Sequence, residues 1–112
     1  MSVKVEEYDK VCVIEVDGEF TAENARLAAA AVGQEGDQHR AANIVLDLAK
    51  CPFIDSEGLE ALLGMKRRCE DMFGQIKLAG LDENVRTIFR ITRLEPRFEA
   101  HADVSAAIKT LQ

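Results

Sequence analysis

The chain has 112 residues, of which 47% are hydrophobic and 30% are charged. This length is enough for one domain with a hydrophobic core, and the composition is typical of a globular protein and not of a disordered one. The formal net charge of −6 repels nucleic acid and anionic lipid, so a protein partner is expected instead of DNA. No apolar run approaches the roughly 20 residues that cross a bilayer, and the N-terminus lacks a signal-peptide pattern. We therefore expect a cytoplasmic protein without membrane insertion.

The cysteines and histidines do not form a recognisable site. Cys12, Cys51 and Cys69 are widely spaced and make no Cys-x-x-Cys pair, which predicts reduced thiols. His39 and His101 stand far apart, and neither lies beside a candidate nucleophile or a second metal ligand. We therefore expect neither a metal ion nor a cofactor.

The first part of the chain predicts a hairpin followed by a helix. Val3 to Tyr8 and Val11 to Val16 are short β-rich runs separated by Asp9-Lys10, which suits a tight antiparallel turn. The second run is almost wholly apolar, so we place it inside the sheet and not at an edge. Thr21 is a suitable N-cap for an alanine-rich helix over Ala22 to Val32, which we expect the following glycines and polar residues to end.

The middle of the chain predicts a buried strand and a long helix. Ile44 to Leu48 is the third strand, and a helix begins near Ser56 and ends at Gly74. Gln75 to Ala79 is the fourth strand. The predicted inward stripe of the helix consists of Leu59, Leu62, Leu63, Cys69 and Phe73.

The last part of the chain predicts two more helices around a short strand. Asp82 or Glu83 opens the first helix, and Pro96 prevents its continuation. A short strand around Phe98 to His101 precedes a final helix that starts near Asp103. This helix has apolar residues at the spacing of a single buried face.

The predicted order is therefore β-β-α-β-α-β-α-β-α. Strands that alternate with helices require parallel, right-handed crossovers. We expect a single α/β domain over residues 1–112, with a mixed, mostly parallel five-stranded sheet, about four helices and an antiparallel first strand. In such sheets partners meet the loops beyond the C-terminal ends of the strands, and the segment 51–58 is one of these loops.

Several segments resemble a known family. The strand 44–48 followed by 53–59, Phe-Ile-Asp-Ser-x-Gly-Leu, is similar to the STAS domain of bacterial anti-sigma factor antagonists. Segments 18–20, 74–78 and 85–94 resemble the family's Gly-Glu-Leu, its fourth strand and its third helix. These segments cover most of the chain in the family's order, so the resemblance implies a STAS fold.

The resemblance also implies a function. In the family, the unphosphorylated antagonist binds an anti-sigma factor that is also a serine kinase, which frees a sigma factor for transcription. Phosphorylation of the serine after the aspartate breaks that complex, and the domain itself performs no catalysis. Carried over to this chain, the phosphorylated residue is Ser56. The implied partner-binding residues are Asp55, Ser56, Glu57, Gly58, Thr21 and Glu19.

We expect phosphorylation to act by repulsion and steric blocking within an interface, without refolding the domain. A phosphate at a helix N-terminus faces the favourable end of the helix dipole, so the fold should tolerate it. Asp55 and Glu57 flank Ser56, however, and a phosphate there creates a dense anionic cluster.

Other functions remain open at this point. Thr21 replaces an aspartate common in the antagonists and Glu57 replaces a small residue, which favours a non-phosphorylated STAS scaffold or regulatory subunit of a transporter or other signalling assembly. On the sequence pattern alone, without the resemblance, an N-cap is the favoured interpretation of Ser56. Weak nucleotide binding, as in some relatives of the fold, also stays open. A serine hydrolase is disfavoured because the chain has no Gly-x-Ser-x-Gly elbow.

Overall fold

A computed structural model describes residues 2–8, 10–39 and 43–111, with the side chains of 32–39 outside the description. The five strands are β1 (Ser2–Tyr8), β2 (Val11–Asp17), β3 (Asn43–Lys50), β4 (Ile76–Ala79) and β5 (Glu99–His101). The helices are α1 (Ala22–His39), α2 (Ser56–Asp71), α3 (Glu83–Ile91) and α4 (Val104–Lys109), with a short 3-10 helix at Glu95–Arg97.

The strands form one sheet in the order β1-β2-β3-β4-β5. β1 is antiparallel to β2, and the remaining neighbours are parallel. Tyr8 pairs with Val11 across the predicted turn, where Lys10 has a φ of 73°, whereas Asp9 lies outside the described residues. The predicted α/β fold, the position of β2 inside the sheet and the antiparallel first strand are all confirmed.

The two faces of the sheet are covered unequally. The main core lies between the sheet and α1, α2 and α3, and from β2 it takes Cys12, Ile14 and Val16. The opposite face carries a smaller cluster in which Val13 and Val45 pack near Ala107 of α4. Because α4 has only six residues, it covers a small part of that face.

The predicted starts of the last two helices are confirmed by their caps. The Asp82 side chain accepts a hydrogen bond from the Val85 N–H at 2.9 Å, and the Asp103 side chain accepts one from the Ala106 N–H at 2.8 Å. Aspartate at these positions satisfies an unpaired N–H group and complements the helix dipole.

The predicted end of the first helix is wrong. We expected it to stop at Val32 before Gly33, but α1 continues to His39. A glycine inside a helix costs about 1 kcal/mol relative to alanine, which is a penalty that a helix tolerates and not a stop.

The predicted inward position of Phe73 is also wrong. α2 ends at Asp71, and Phe73 is 99% exposed with a φ of 64°. The Phe73 N–H donates to the Glu70 carbonyl at 3.0 Å and the Gly74 N–H donates to the Cys69 carbonyl at 2.8 Å, which is the Schellman arrangement. The chain therefore leaves the helical path before Phe73. The buried face of the helix contains the predicted Leu59, Leu62 and Cys69, together with Met65, which the prediction omitted.

None of the helices in the described part of the chain is long and apolar enough to cross a membrane.

Candidate functional site

Two loops at the C-terminal edge of the sheet are joined by backbone hydrogen bonds. The loop after β2 contains Phe20, whose N–H donates to the Phe53 carbonyl in the loop after β3 at 2.9 Å. Phe20 also forms an isolated parallel bridge with Ile54, and the Gly18 N–H donates to the Lys50 carbonyl at 3.0 Å. The two loops therefore form one connected surface.

A third element joins this edge from the side. The Asn84 side-chain amide, in the first turn of α3, donates to the Pro52 carbonyl at 2.9 Å. The loop that precedes α2 is consequently held both by the loop after β2 and by α3, so the position of the α2 N-terminus is set by contacts distant in sequence.

Asp55, and not Ser56, caps α2. Asp55 has an extended backbone with φ −104°, and its side chain accepts a hydrogen bond from the Gly58 N–H at 2.9 Å. The Asp55 carbonyl accepts the first helical bond from the Leu59 N–H, also at 2.9 Å. The interpretation of Ser56 as an N-cap is therefore wrong, because Ser56 is already the first helical residue. Its hydroxyl is not needed to satisfy the end of the helix.

Gly58 lets α2 begin in close contact with the loop after β2. A Cβ atom at this position would lie 2.0 Å from the Phe20 carbonyl oxygen and 2.8 Å from Cγ1 of Ile54. Only glycine fits without moving the backbone. Gly58 is buried, so this member of the predicted partner-binding set acts on the shape of the site.

The structure brings the other predicted residues to the same edge. Glu19, Ser56 and Glu57 are exposed, whereas Thr21 and Asp55 are partly buried. The Thr21 carbonyl accepts a hydrogen bond from the Ala25 N–H at 2.8 Å, which places Thr21 at the predicted N-cap position of α1. All six residues are therefore on one surface or directly beneath it.

Sequence reasoning missed two residues of this edge. Phe53 is 40% exposed and lies in the loop just before Ser56, which adds an apolar contact surface. Asn24 is fully buried, and its side-chain amide donates to the Glu19 carbonyl at 2.8 Å. The available signal for Asn24 was an amide residue in the first turn of an alanine-rich helix. For Phe53 it was a large apolar residue beyond the end of its strand.

The edge is acidic. Exposed carboxylates lie at the end of β2 and just after it, next to Ser56 and at the start of α3. They belong to Asp17, Glu19, Glu57, Asp82 and Glu83. Lys50 lies at the same edge, where its amine is 3.5 Å from the carboxylate of Glu15. A protein surface that docks here is favoured if it carries positive charge.

Cys51 and His101 each have a hydrogen-bond partner near the C-terminal ends of the strands. The Cys51 thiol is buried and donates to the Phe53 carbonyl at 3.3 Å, and burial raises the pKa of this thiol, which keeps it protonated. His101 lies on β5, where its Nε2 is 2.7 Å from the Glu99 carboxylate. Within the described residues, no group of three or more His, Cys, Asp and Glu side chains is placed to hold a metal ion.

Comparison with known proteins identifies the family. The model of the STAS domain matches residues 2–107, and the chain therefore belongs to the STAS domain family. Among curated protein sequences, none matches the chain significantly.

Several solved structures share the fold of this chain. A Thermotoga maritima protein assigned as an anti-sigma factor antagonist is 22% identical, with a TM-score of 0.88 over 97% of this chain and 93% of that one. The Bacillus cell fate determinant SpoIIAA in its phosphorylated form is 22% identical, with a TM-score of 0.77 over 99% of this chain and 100% of that one. A sulfate transporter family protein from Wolinella succinogenes is 16% identical, with a TM-score of 0.77 over 93% and 86%.

Proposed function

We propose that this STAS domain is an anti-sigma factor antagonist, a cytoplasmic switch that binds an anti-sigma factor with serine kinase activity and is regulated by phosphorylation of Ser56. The observation that carries the proposal is the position of Ser56, an exposed hydroxyl at the first residue of a helix whose cap is supplied by another side chain. A kinase can reach such a hydroxyl, and its modification leaves the cap in place. The domain is the substrate and performs no catalysis.

The backbone at the start of α2 can accommodate a phosphate on Ser56. The first N–H groups of a helix have no partner within the helix, and the Asp55 side chain occupies the one at Gly58. A phosphoserine adds about −1.5 to −2 charges at the positive end of the helix dipole. The fold therefore accepts the modification without losing an existing hydrogen bond at Ser56.

The surroundings of Ser56 support an effect on binding. Glu57 and Glu19 are exposed at the same edge, so the phosphate increases a negative field that is already present. A partner whose surface fits a neutral serine beside exposed Phe53 would have to accommodate both the volume and the charge of the phosphate. We propose that phosphorylation breaks the complex by steric blocking and by desolvation of this charge.

The test compares two substitutions at Ser56 with one control. Binding of the candidate kinase is measured by calorimetry for the unmodified protein, Ser56→Ala, Ser56→Asp and Ser105→Asp, which changes an exposed serine on α4. We expect Ser56→Ala and Ser105→Asp to bind normally and Ser56→Asp to lose at least about tenfold in affinity, or 1.4 kcal/mol. Both Ser56 variants should escape phosphorylation, whereas Ser105→Asp should still be phosphorylated. Equal binding of both Ser56 variants would reject the switch.

That last result would support a second candidate, the non-phosphorylated STAS scaffold or regulatory subunit. The fold likeness to a sulfate transporter family protein is compatible with such a role. Glu57 also places a permanent negative charge beside Ser56, where a phosphorylation switch would add one.

A second measurement tests the absence of refolding. Amide spectra of the unmodified and phosphorylated proteins should differ in the first turn of α2 and in the two loops tied to it by Phe20. Widespread shifts across α1 and α4 would show that the phosphate changes the fold and would contradict a purely local effect.

A further inference from the structure

β1 forms one outer edge of the sheet. β1 is the first strand of the sheet, and within the described residues β2 is its sole strand partner. Nearly all of its residues are exposed, including Val5 at 39% and Tyr8 at 46%. A strand edge presents backbone N–H and C=O groups that can pair with another strand.

We propose that β1 pairs with β1 of a second copy of this chain, antiparallel and about a two-fold axis at Val5, to give a dimer with one continuous sheet. The proposal is independent of the phosphorylation switch, because β1 lies at the side of the sheet and Ser56 lies beyond the C-terminal ends of the parallel strands.

The backbone geometry permits this pairing. Tyr8 is paired with Val11 across a two-residue connection, and such a turn closes with hydrogen bonds between its two end residues. Residues of an antiparallel strand alternate between bonded and non-bonded pairs, so the even residues of β1 bond to β2 and the odd ones are directed outward. Val3 and Val5 therefore direct their backbone groups to the outer edge. With Val5 opposite its copy, each Val5 donates to and accepts from the other, and Val3 faces Glu7 of the second copy.

The side chains favour this register. Lys4 stands opposite Glu6 of the second copy, and the two-fold axis repeats the pair. Both residues occupy non-bonded positions, where Cα atoms approach to about 4.5 Å and side chains are closest. Opposite charges that face each other across a strand pair stabilise it.

Neighbouring registers are disfavoured by charge. Moving the axis to Glu6 places two glutamates opposite each other, and moving it to Lys4 places two lysines opposite each other. Charged side chains on an edge strand commonly oppose pairing. The charges of Lys4 and Glu6 on β1 are complementary to those of a second, reversed copy when Val5 lies on the two-fold axis. We therefore infer a second copy as the occupant and not an unrelated strand.

The test is a charge exchange monitored by the oligomeric state. Sedimentation equilibrium over a range of protein concentrations should show a dimer for the unmodified chain. Lys4→Glu faces two negative charges against each other, and Glu6→Lys faces two positive ones, so each should weaken the dimer at least about tenfold. The double variant K4E/E6K restores both opposite pairs and should recover the dimer.

Arg67→Glu, on the exposed surface of α2, is the control for the change in net charge and should leave the dimer unchanged. Circular dichroism of all variants checks that the exposed substitutions leave the fold intact. A chain that stays monomeric at every concentration would overturn the proposal. So would a dimer that is insensitive to the single substitutions, or one that the double variant fails to restore.

Discussion

Replacing Gly58 with alanine tests whether the α2 N-terminus is held by close packing. The added Cβ would lie 2.0 Å from the Phe20 carbonyl oxygen, about 1.4 Å short of ordinary contact. The obstacle is backbone that takes part in the Phe20–Ile54 bridge, so it cannot rotate away as a flexible side chain would.

The magnitude follows from two opposing terms. Alanine is favoured over glycine inside a helix by about 1 kcal/mol. Overpacking a tight site costs about 1–3 kcal/mol, and a backbone obstacle places Gly58→Ala at the upper end of this range. We therefore expect a net loss of about 2 kcal/mol in the free energy of unfolding.

Gly64 provides a matched control in the same helix. A Cβ at Gly64 meets no atom within 4 Å, so Gly64→Ala has only the helix term and should stabilise by about 1 kcal/mol. Urea unfolding followed by circular dichroism measures both variants against the unmodified protein. If Gly58→Ala were as stable as Gly64→Ala, the close approach of α2 to Phe20 would be refuted.

Three further predictions concern a cap, a turn and an ion pair. Asp55→Ala should lower the free energy of unfolding by about 1 kcal/mol, whereas Ser56→Ala should stay within a few tenths of a kcal/mol of the unmodified protein. Chemical denaturation measures both variants, and a larger loss for Ser56→Ala would show that Ser56 is the cap. Phe73→Gly should raise the free energy of unfolding by about 1 kcal/mol, because glycine adopts the φ of 64° without strain. Phe73→Ala should keep the strain, so equal thermal midpoints of the two variants would contradict this prediction. The Lys77 amine, 2.8 Å from the Glu99 carboxylate, chiefly holds the pKa of Glu99 below its ordinary value. The ion pair therefore stabilises the fold at pH values above the pKa that Glu99 has in the unfolded chain, and this stabilisation is lost as the pH falls through the pKa of Glu99 in the folded protein. Glu99→Gln should be less stable than the unmodified protein near neutral pH and equally stable in acid. Parallel stability curves would contradict this pair's role.

Much of the fold is contained in local patterns. Short apolar runs that alternate with segments of helical spacing predicted the order of strands and helices. The two-residue connection between β1 and β2 predicted an antiparallel pair, and the longer connections through helices predicted parallel pairs. Asp82 and Asp103 were found as helix starts because a capping aspartate depends on its own next three residues. Local chemistry was therefore sufficient wherever the interaction was local.

The failures occurred where a local preference was weak. Gly33 carries a small helix penalty, which the rest of the α1 helix outweighed. Phe73 fitted the apolar spacing of α2, but a Schellman turn redirected the chain before that residue. Neither outcome is encoded in the apolar pattern, because both depend on where the helical path ends.

The candidate site shows the same division. By itself, the sequence determined the fold class, the family resemblance and the place of Ser56 at the start of a helix. Only the tertiary structure decided that Asp55 is the cap, that Gly58 must be glycine and that Phe53 joins Glu19 at one edge. These features depend on contacts between segments more than thirty residues apart, or on the angle at which the chain enters the helix, and spacing along the chain specifies neither.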